Sequence, residues 1–217
     1  WSDEHVKNGG GHRKLMSSPW TRSSFDFGST SKNLPPLEEI RAVFSRAHRE
    51  RIALKLLISP SHARLWETLS ASGLWHKWEE WKKRLVQINE EEAQRASQQP
   101  FPLWDFSGYN SISTESIPAL GDIKTIMHGY FDASHYTPAT GDLALDRILN
   151  FKSPDRAIPD DFGVLLTGRN IDAHLANIRI AREHYRQTHP EDVAEIEALA
   201  ALSDLTANHR IRRAFKQ

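Results

Sequence analysis

Asp132 and His135 stand three residues apart where an aromatic segment meets a proline, in the run Phe131 to Pro138. A histidine that takes a proton from a hydroxyl needs a carboxylate on its other ring nitrogen, which fixes the tautomer and stabilises the imidazolium. The D-x-x-H spacing allows this contact within one turn, so it predicts a general base, His135, oriented by Asp132. The alternative is an Asx turn that only precedes a helix. Because the chain has 11 histidines and 28 acidic residues, the spacing by itself is a weak signal.

Three blocks of sequence, taken in order, resemble SGNH/GDSL-type hydrolases. They are LLISPSHAR at 56–64, PLWDFSGYN at 102–110 and DASHYTPATGDLALDRI at 132–148. As a set they are similar to SGNH-like proteins of proteobacteria, which are related in architecture to extracytoplasmic proteins that O-acetylate exopolysaccharides or D-alanylate teichoic acids. The resemblance extends over about residues 25–185. It implies a flavodoxin-like fold, a Ser-His-Asp mechanism and a nucleophile in a Gly-x-Ser turn upstream of residue 25. The chain would then be the C-terminal portion of a longer protein, without its N-terminal strand.

Five further residues are candidates for the site. His62, after a Ser-Pro turn, can contact a substrate oxygen or cap the following helix, and Ser61 beside it is a second candidate contact. Gly108 and Asn110 fit the G-x-N oxyanion block that the resemblance implies, with turn chemistry as the alternative. Ser29 is a candidate nucleophile within the chain. The residues before it do not read as the strand that a nucleophile turn requires.

The composition argues against several kinds of site. Basic and acidic residues balance at 28 each, which gives no electrostatic reason to expect nucleic acid or an anionic membrane as partner. The chain has no cysteine, so it has neither disulfides nor thiolate metal sites. His128, Asp132 and His135 have a spacing that a metal tolerates, but nothing else completes a ligand set. We therefore predict neither a metal nor a cofactor. No apolar run reaches the ~18 residues that span a bilayer.

Helices and strands alternate along the chain, which is typical of an open α/β sandwich whose sites form at the carboxyl ends of strands. We predict a loop-rich lead-in at 1–33 and a three-layer SGNH-like α/β domain with a mostly parallel sheet at 34–217. Trp75, Trp78 and Trp81 share one helical face and are expected in the core rather than in a carbohydrate platform. The predicted helices are 37–50, 74–96, 138–149 and 171–187, and the predicted strands are 52–58 and 103–106.

The strand at 52–58 is largely apolar, so we expect it to be internal and buried on both faces. The segments Ser59–His62, Ser107–Asn110 and Asp132–His135 should then lie on one edge of the sheet.

Three functions remain open. The first is an SGNH-type serine esterase or acyltransferase that acts on an acylated cell-envelope glycan or a small ester. The second is a catalytically inactive SGNH-like domain that binds a glycan or a partner in envelope polysaccharide assembly. The third is an unrelated α/β binding domain in which the D-x-x-H spacing is fortuitous. The resemblance also implies a periplasmic location, with a membrane anchor upstream of the chain.

Overall fold

The computed structural model describes residues 36–119, 122 and 124–214, and these residues form six helices and three strands. The predicted lead-in at 1–33 lies outside the described residues. In chain order the elements are α1 (Pro36–Glu50), β1 (Leu56–Ile58), α2 (Ala63–Ala71), α3 (Trp75–Ala96), β2 (Leu103–Asp105), α4 (Pro138–Leu149), β3 (Val164–Leu166), α5 (Ile171–Thr188) and α6 (Pro190–Ala214).

The three strands form one mixed sheet in the order β1-β2-β3. Leu103 at the start of β2 pairs with Leu56 of the parallel β1 and with Leu166 of the antiparallel β3. The prediction of a mostly parallel sheet is therefore wrong for one of the two pairings. Val164 pairs with Asp105, so the chain enters β3 at the edge where it left β2. Helix α4 and the loop after it return to that edge instead of crossing the sheet.

The main core lies on one face of the sheet, beneath α1, α3 and α5. Leu103 of β2 is 1% exposed and belongs to one cluster with Phe44 of α1, Leu85 of α3 and Leu175 of α5. The three tryptophans of α3 also join this cluster, Trp78 as a buried member and its two neighbours as partly buried ones. This confirms that they pack in the core. Burial of this apolar surface is the principal source of stability for the helical layer.

A smaller cluster lies on the opposite face of the sheet, where α4 packs. Phe106 and Phe162 are fully buried there with Ala144 and Ile148 of α4, and Trp104 of β2 packs against them. Since side chains alternate along a strand, Trp104 faces this cluster while its neighbours in β2 face the main core. Helices thus cover both faces of a mixed sheet, and the chain is an α/β protein.

The expectation of an internal strand at 52–58 is wrong. Only Leu56–Ile58 pairs, and among the described residues β1 is an edge strand. Leu57 is 40% exposed and Ile52 46% exposed. Leu57 pairs with Trp104, and Trp104 pairs with Leu165, which is 42% exposed. The described residues of the α4 layer cover Trp104 in the middle of these three paired residues, and they leave Leu57 and Leu165 exposed.

Candidate functional site

Asp132 and His135 make the contact that the sequence predicts. Nδ1 of His135 lies 2.7 Å from Oδ2 and 2.9 Å from Oδ1 of Asp132. The carboxylate side chain is 10% exposed, whereas the imidazole is 55% exposed. A carboxylate at Nδ1 holds the ring proton there and makes Nε2 the basic nitrogen. In this form a histidine can accept a proton from a hydroxyl.

The same carboxylate organises the turn. Oδ1 of Asp132 accepts hydrogen bonds from the backbone N–H of Ser134 at 2.7 Å and of His135 at 2.8 Å. Burial alone would raise the pKa of Asp132, but these donors and the His135 ring hold that pKa below its usual value. The Asx turn and the orienting contact therefore exist together, and the carboxylate is charged at neutral pH.

Ser134 lies beside the pair but on the wrong nitrogen for a nucleophile. Its Oγ donates to Oδ1 of Asp132 at 2.9 Å and lies 3.0 Å from Nδ1 of His135. A nucleophilic hydroxyl must reach Nε2, since Nδ1 is the nitrogen that the carboxylate orients. Ser134 is thus part of the turn that orients the histidine.

Backbone hydrogen bonds join the three predicted segments, or the residues that directly follow them, at one edge of the sheet. The N–H of His62, in the segment after β1, donates to the carbonyl of Ala133 at 3.0 Å. The next N–H, of Ala63, donates to the carbonyl of Ser113 in the loop after β2 at 2.7 Å. Because β1 and β2 are parallel, their carboxyl ends lie at the same edge of the sheet. The expectation that these segments share one edge is confirmed.

His62 is a buried structural residue, only 1% exposed. Nδ1 accepts from the N–H of Arg64 at 3.2 Å and caps α2, while Nε2 donates to the carbonyl of Glu115 at 2.7 Å. The pKa of His62 lies at about 4, mainly because of burial; the nearby cationic Arg64 also lowers it, and the hydrogen bond to the Glu115 carbonyl opposes the shift. The ring is therefore neutral with its proton on Nε2. Both ring nitrogens bind backbone, so the predicted substrate contact gives way to the capping alternative.

The G-x-N block also forms a turn. Oδ1 of Asn110 accepts from the N–H groups of Ile112 at 3.1 Å and Ser113 at 2.9 Å, and its amide donates to the Phe106 carbonyl at 3.3 Å. The Asn110 amide is thus committed to backbone and is not presented to an oxyanion. Gly108 has a φ of +99°, and a β-carbon there would lie 3.2 Å from Ile178 of α5. Its role is close packing in a left-handed conformation.

The two candidate serines differ in what the structure describes. Ser61 is buried, at 6% exposed, and its carbonyl accepts from the indole N–H of Trp66 at 3.2 Å. Its backbone supports the start of α2. Ser29 lies outside the described residues.

A buried polar network at the end of β2 was not predicted. Oδ2 of Asp105 accepts from Nζ of Lys82 at 2.6 Å and lies 2.8 Å from Nε2 of His174. Oδ1 accepts from the backbone N–H of Ser107 at 2.9 Å and from its hydroxyl at 2.5 Å. Lys82 also lies over the ring of Trp78, 3.7 Å from the centroid. A signal was available, because Lys82 stands four residues after Trp78 on the apolar face of α3.

The carboxylate of Asp105 is ionised, and the network serves the fold. Burial alone would raise the pKa of Asp105, but Lys82 and His174 hold it well below its usual value. Burial also lowers the pKa of Lys82, and Asp105 opposes that shift. Each carboxylate oxygen has two partners, so the group stabilises the start of the loop after β2 rather than acting as a base.

Glu115 is the other residue that sequence reasoning missed. Its carboxylate accepts from the N–H of His128 at 2.6 Å and from the N–H of Gly129 at 2.8 Å. These groups lie just before the Asp132 turn. No local pattern announces this contact, because a long loop separates the partners.

Within the part of the chain that the structure describes, no group of three or more histidine, aspartate or glutamate side chains is arranged to hold a metal ion. Nor does any described helix combine the length and apolar composition that crossing a membrane requires. Comparison of the chain with protein-family models, with curated proteins and with solved structures gave no match.

Proposed function

We propose that the protein is an SGNH-type serine esterase or acyltransferase in which His135 is the general base and Asp132 orients it. The single observation that carries this proposal is the 2.7 Å contact between Oδ2 of Asp132 and Nδ1 of His135. It is supported by the exposure of the imidazole, 55%, beside a largely buried carboxylate. A pair that served only to close a turn would not need the ring nitrogen.

In the proposed reaction a serine hydroxyl attacks the carbonyl carbon of an acyl ester while Nε2 of His135 takes its proton. The tetrahedral intermediate then collapses, the alcohol leaves with the proton from His135, and the acyl group stays on the serine. Water or an acceptor hydroxyl next releases the acyl group by the reverse path. Asp132 remains charged throughout and stabilises the imidazolium.

The resemblance supplies the rest of the proposal. It favours an acylated cell-envelope glycan as substrate class, a periplasmic location and a serine upstream of this chain. Ser29 is the alternative nucleophile. Because the Asn110 amide binds backbone, the proposed oxyanion donors are backbone N–H groups near the serine.

The decisive experiment traps the nucleophile of the full-length protein with a fluorophosphonate probe and identifies the labelled serine by peptide mapping. Labelling and hydrolysis of a small acetyl ester should both depend on the pair. We expect His135→Ala and Asp132→Asn to lower kcat on the order of 10³-fold or more. His128→Ala is the matched control, since this exposed histidine lies in the same loop and the proposal uses only its backbone.

The outcomes separate the hypotheses. An adduct on a serine upstream of the chain supports the proposal as stated, and an adduct on Ser29 supports it with a different nucleophile. Activity that is equal in the His135→Ala and His128→Ala proteins contradicts it. The absence of both adduct and ester turnover would favour an inactive domain that binds a glycan or an assembly partner.

A further inference from the structure

The carboxylate of Glu115 accepts hydrogen bonds from two consecutive backbone N–H groups. Oε1 accepts from His128 at 2.6 Å and Oε2 accepts from Gly129 at 2.8 Å. A β-carbon at position 129 would lie 3.0 Å from Oε2 of Glu115 and 3.2 Å from Oγ1 of Thr140. The absence of a side chain at Gly129 therefore lets the carboxylate approach the backbone.

His128 and Gly129 are the base of the turn that carries Asp132 and His135. Tyr130 and Tyr136 make an antiparallel bridge, and the N–H of Thr137 donates to the Gly129 carbonyl at 2.8 Å. Oγ1 of Thr137 also donates to the His128 carbonyl at 2.6 Å. Glu115 therefore binds the backbone of the two residues that directly precede the bridge.

His62 connects Glu115 to Ala133 at the tip of the turn. Its Nε2 donates to the carbonyl of Glu115 at 2.7 Å, and its backbone N–H donates to the carbonyl of Ala133 at 3.0 Å. The ring also packs edge-on against Tyr130 at 5.0 Å between centroids. His62 therefore contacts Glu115, the bridge residue Tyr130 and, at the tip of the turn, Ala133.

We propose that Glu115 is a positioning residue for the Asp132–His135 pair, because its carboxylate fixes the base of the turn from which both side chains project. The inference rests on the proposed function only where it assigns the pair to catalysis. Two acceptor oxygens are essential, since both partners are N–H donors. An amide at this position would accept from one of them and direct its own NH2 group at the other.

The test is the tautomer of His135, measured by ¹⁵N NMR of the histidine-labelled chain at alkaline pH, where imidazoles are neutral. The His135→Ala spectrum identifies the resonances. In the native chain the proton of His135 should lie mainly on Nδ1. We expect Glu115→Gln to lower the ratio of Nδ1–H to Nε2–H forms about fivefold, the equivalent of one typical hydrogen bond.

Glu90→Gln is the matched control, because Oε1 of Glu90 also accepts a backbone N–H, that of Gly168 at 2.7 Å, in a different loop. In the Glu90→Gln chain, the ratio of Nδ1–H to Nε2–H forms of His135 should equal that of the native chain. Should Glu115→Gln fail to fold, as judged by circular dichroism, Gly129→Ala provides the test. The added β-carbon would lie 3.0 Å from Oε2 of Glu115 and would push the carboxylate away from the N–H of Gly129, so a drop in the ratio of about two- to threefold, the equivalent of a weakened hydrogen bond, is expected.

An unchanged tautomer ratio in a folded Glu115→Gln chain, or in Gly129→Ala if Glu115→Gln does not fold, overturns the positioning role. The readout does not require turnover. A lowered ratio in a protein without ester activity would retain this inference and reject the proposed function. Ester activity that depends on His135, together with a tautomer ratio that Glu115→Gln leaves unchanged, would retain the proposed function and reject this inference.

Discussion

The stability of the protein should fall steeply with pH below neutrality because of His62. An unfolded histidine takes up a proton near pH 6.5, whereas burial lowers the pKa of His62 in the folded chain to about 4. Between these values the unfolded state binds more protons, so the free energy of unfolding falls as pH falls. Each unit of pKa difference corresponds to about 1.4 kcal/mol, so the loss is about 3 kcal/mol by pH 4.

The change that isolates this effect is His62→Asn. Asparagine still offers an oxygen to the N–H of Arg64 and is a good helix cap, but it does not titrate in this range. It also loses the bond to the Glu115 carbonyl, which is 2.7 Å long in the native chain. At pH 7.5 the variant should be less stable than the native chain, and the difference should shrink by about 3 kcal/mol on going to pH 4.

The assay is urea unfolding followed by tryptophan fluorescence at several pH values between 7.5 and 4, with seven tryptophans as probes. Comparing native and variant chains cancels the titration of all other groups. His76→Asn serves as control, since this histidine of α3 is exposed. A native-minus-His62→Asn difference that stays constant with pH would refute the reasoning. It would mean that His62 accepts a proton in the folded chain.

Two further predictions concern stability and use the same urea assay. Lys82→Met should lower the free energy of unfolding by about 3–5 kcal/mol, because it leaves a buried carboxylate without its cation. Lys83→Met, at a 48% exposed neighbour, should change it by less than about 0.5 kcal/mol, and equal effects would contradict the buried ion pair. Gly163→Ala should cost more than Gly73→Ala, although both have positive φ, because a β-carbon at 163 would lie 2.4 Å from the Phe106 ring and one at 73 would contact nothing within 4 Å. We expect about 1–2 kcal/mol at Gly73 from the backbone alone and at least as much again at Gly163, and similar losses would contradict the described packing.

Local patterns were sufficient for four of the helices and for the contact that defines the candidate site. Helices α1, α3, α4 and α5 begin and end within one residue of the predicted bounds, because their apolar residues recur at helical spacing. The Asp132–His135 contact was predictable for a similar reason: three residues of chain bring the carboxylate to the ring nitrogen.

Three elements escaped the sequence reasoning. Helix α2 is short and is capped by His62, which is not among the residues that usually begin a helix. Strand β3 has three residues, too few for periodicity to distinguish it from other apolar runs. Helix α6 carried an adequate signal, since Pro190 is followed by Glu191 and Asp192 in its first turn.

The sequence by itself therefore determined four of the six described helices and that an acid can orient His135. Only the tertiary structure decided what the other polar residues do. His62 caps α2 and ties it to the loop after β2, because its two ring nitrogens form hydrogen bonds with backbone groups of both segments. Lys82 and Asp105 became an ion pair because α3 packs on the strand that ends at Asp105. The physical reason is the range of the interactions: helical spacing and a D-x-x-H turn act over a few residues, whereas burial and long-range hydrogen bonds depend on which distant segments meet.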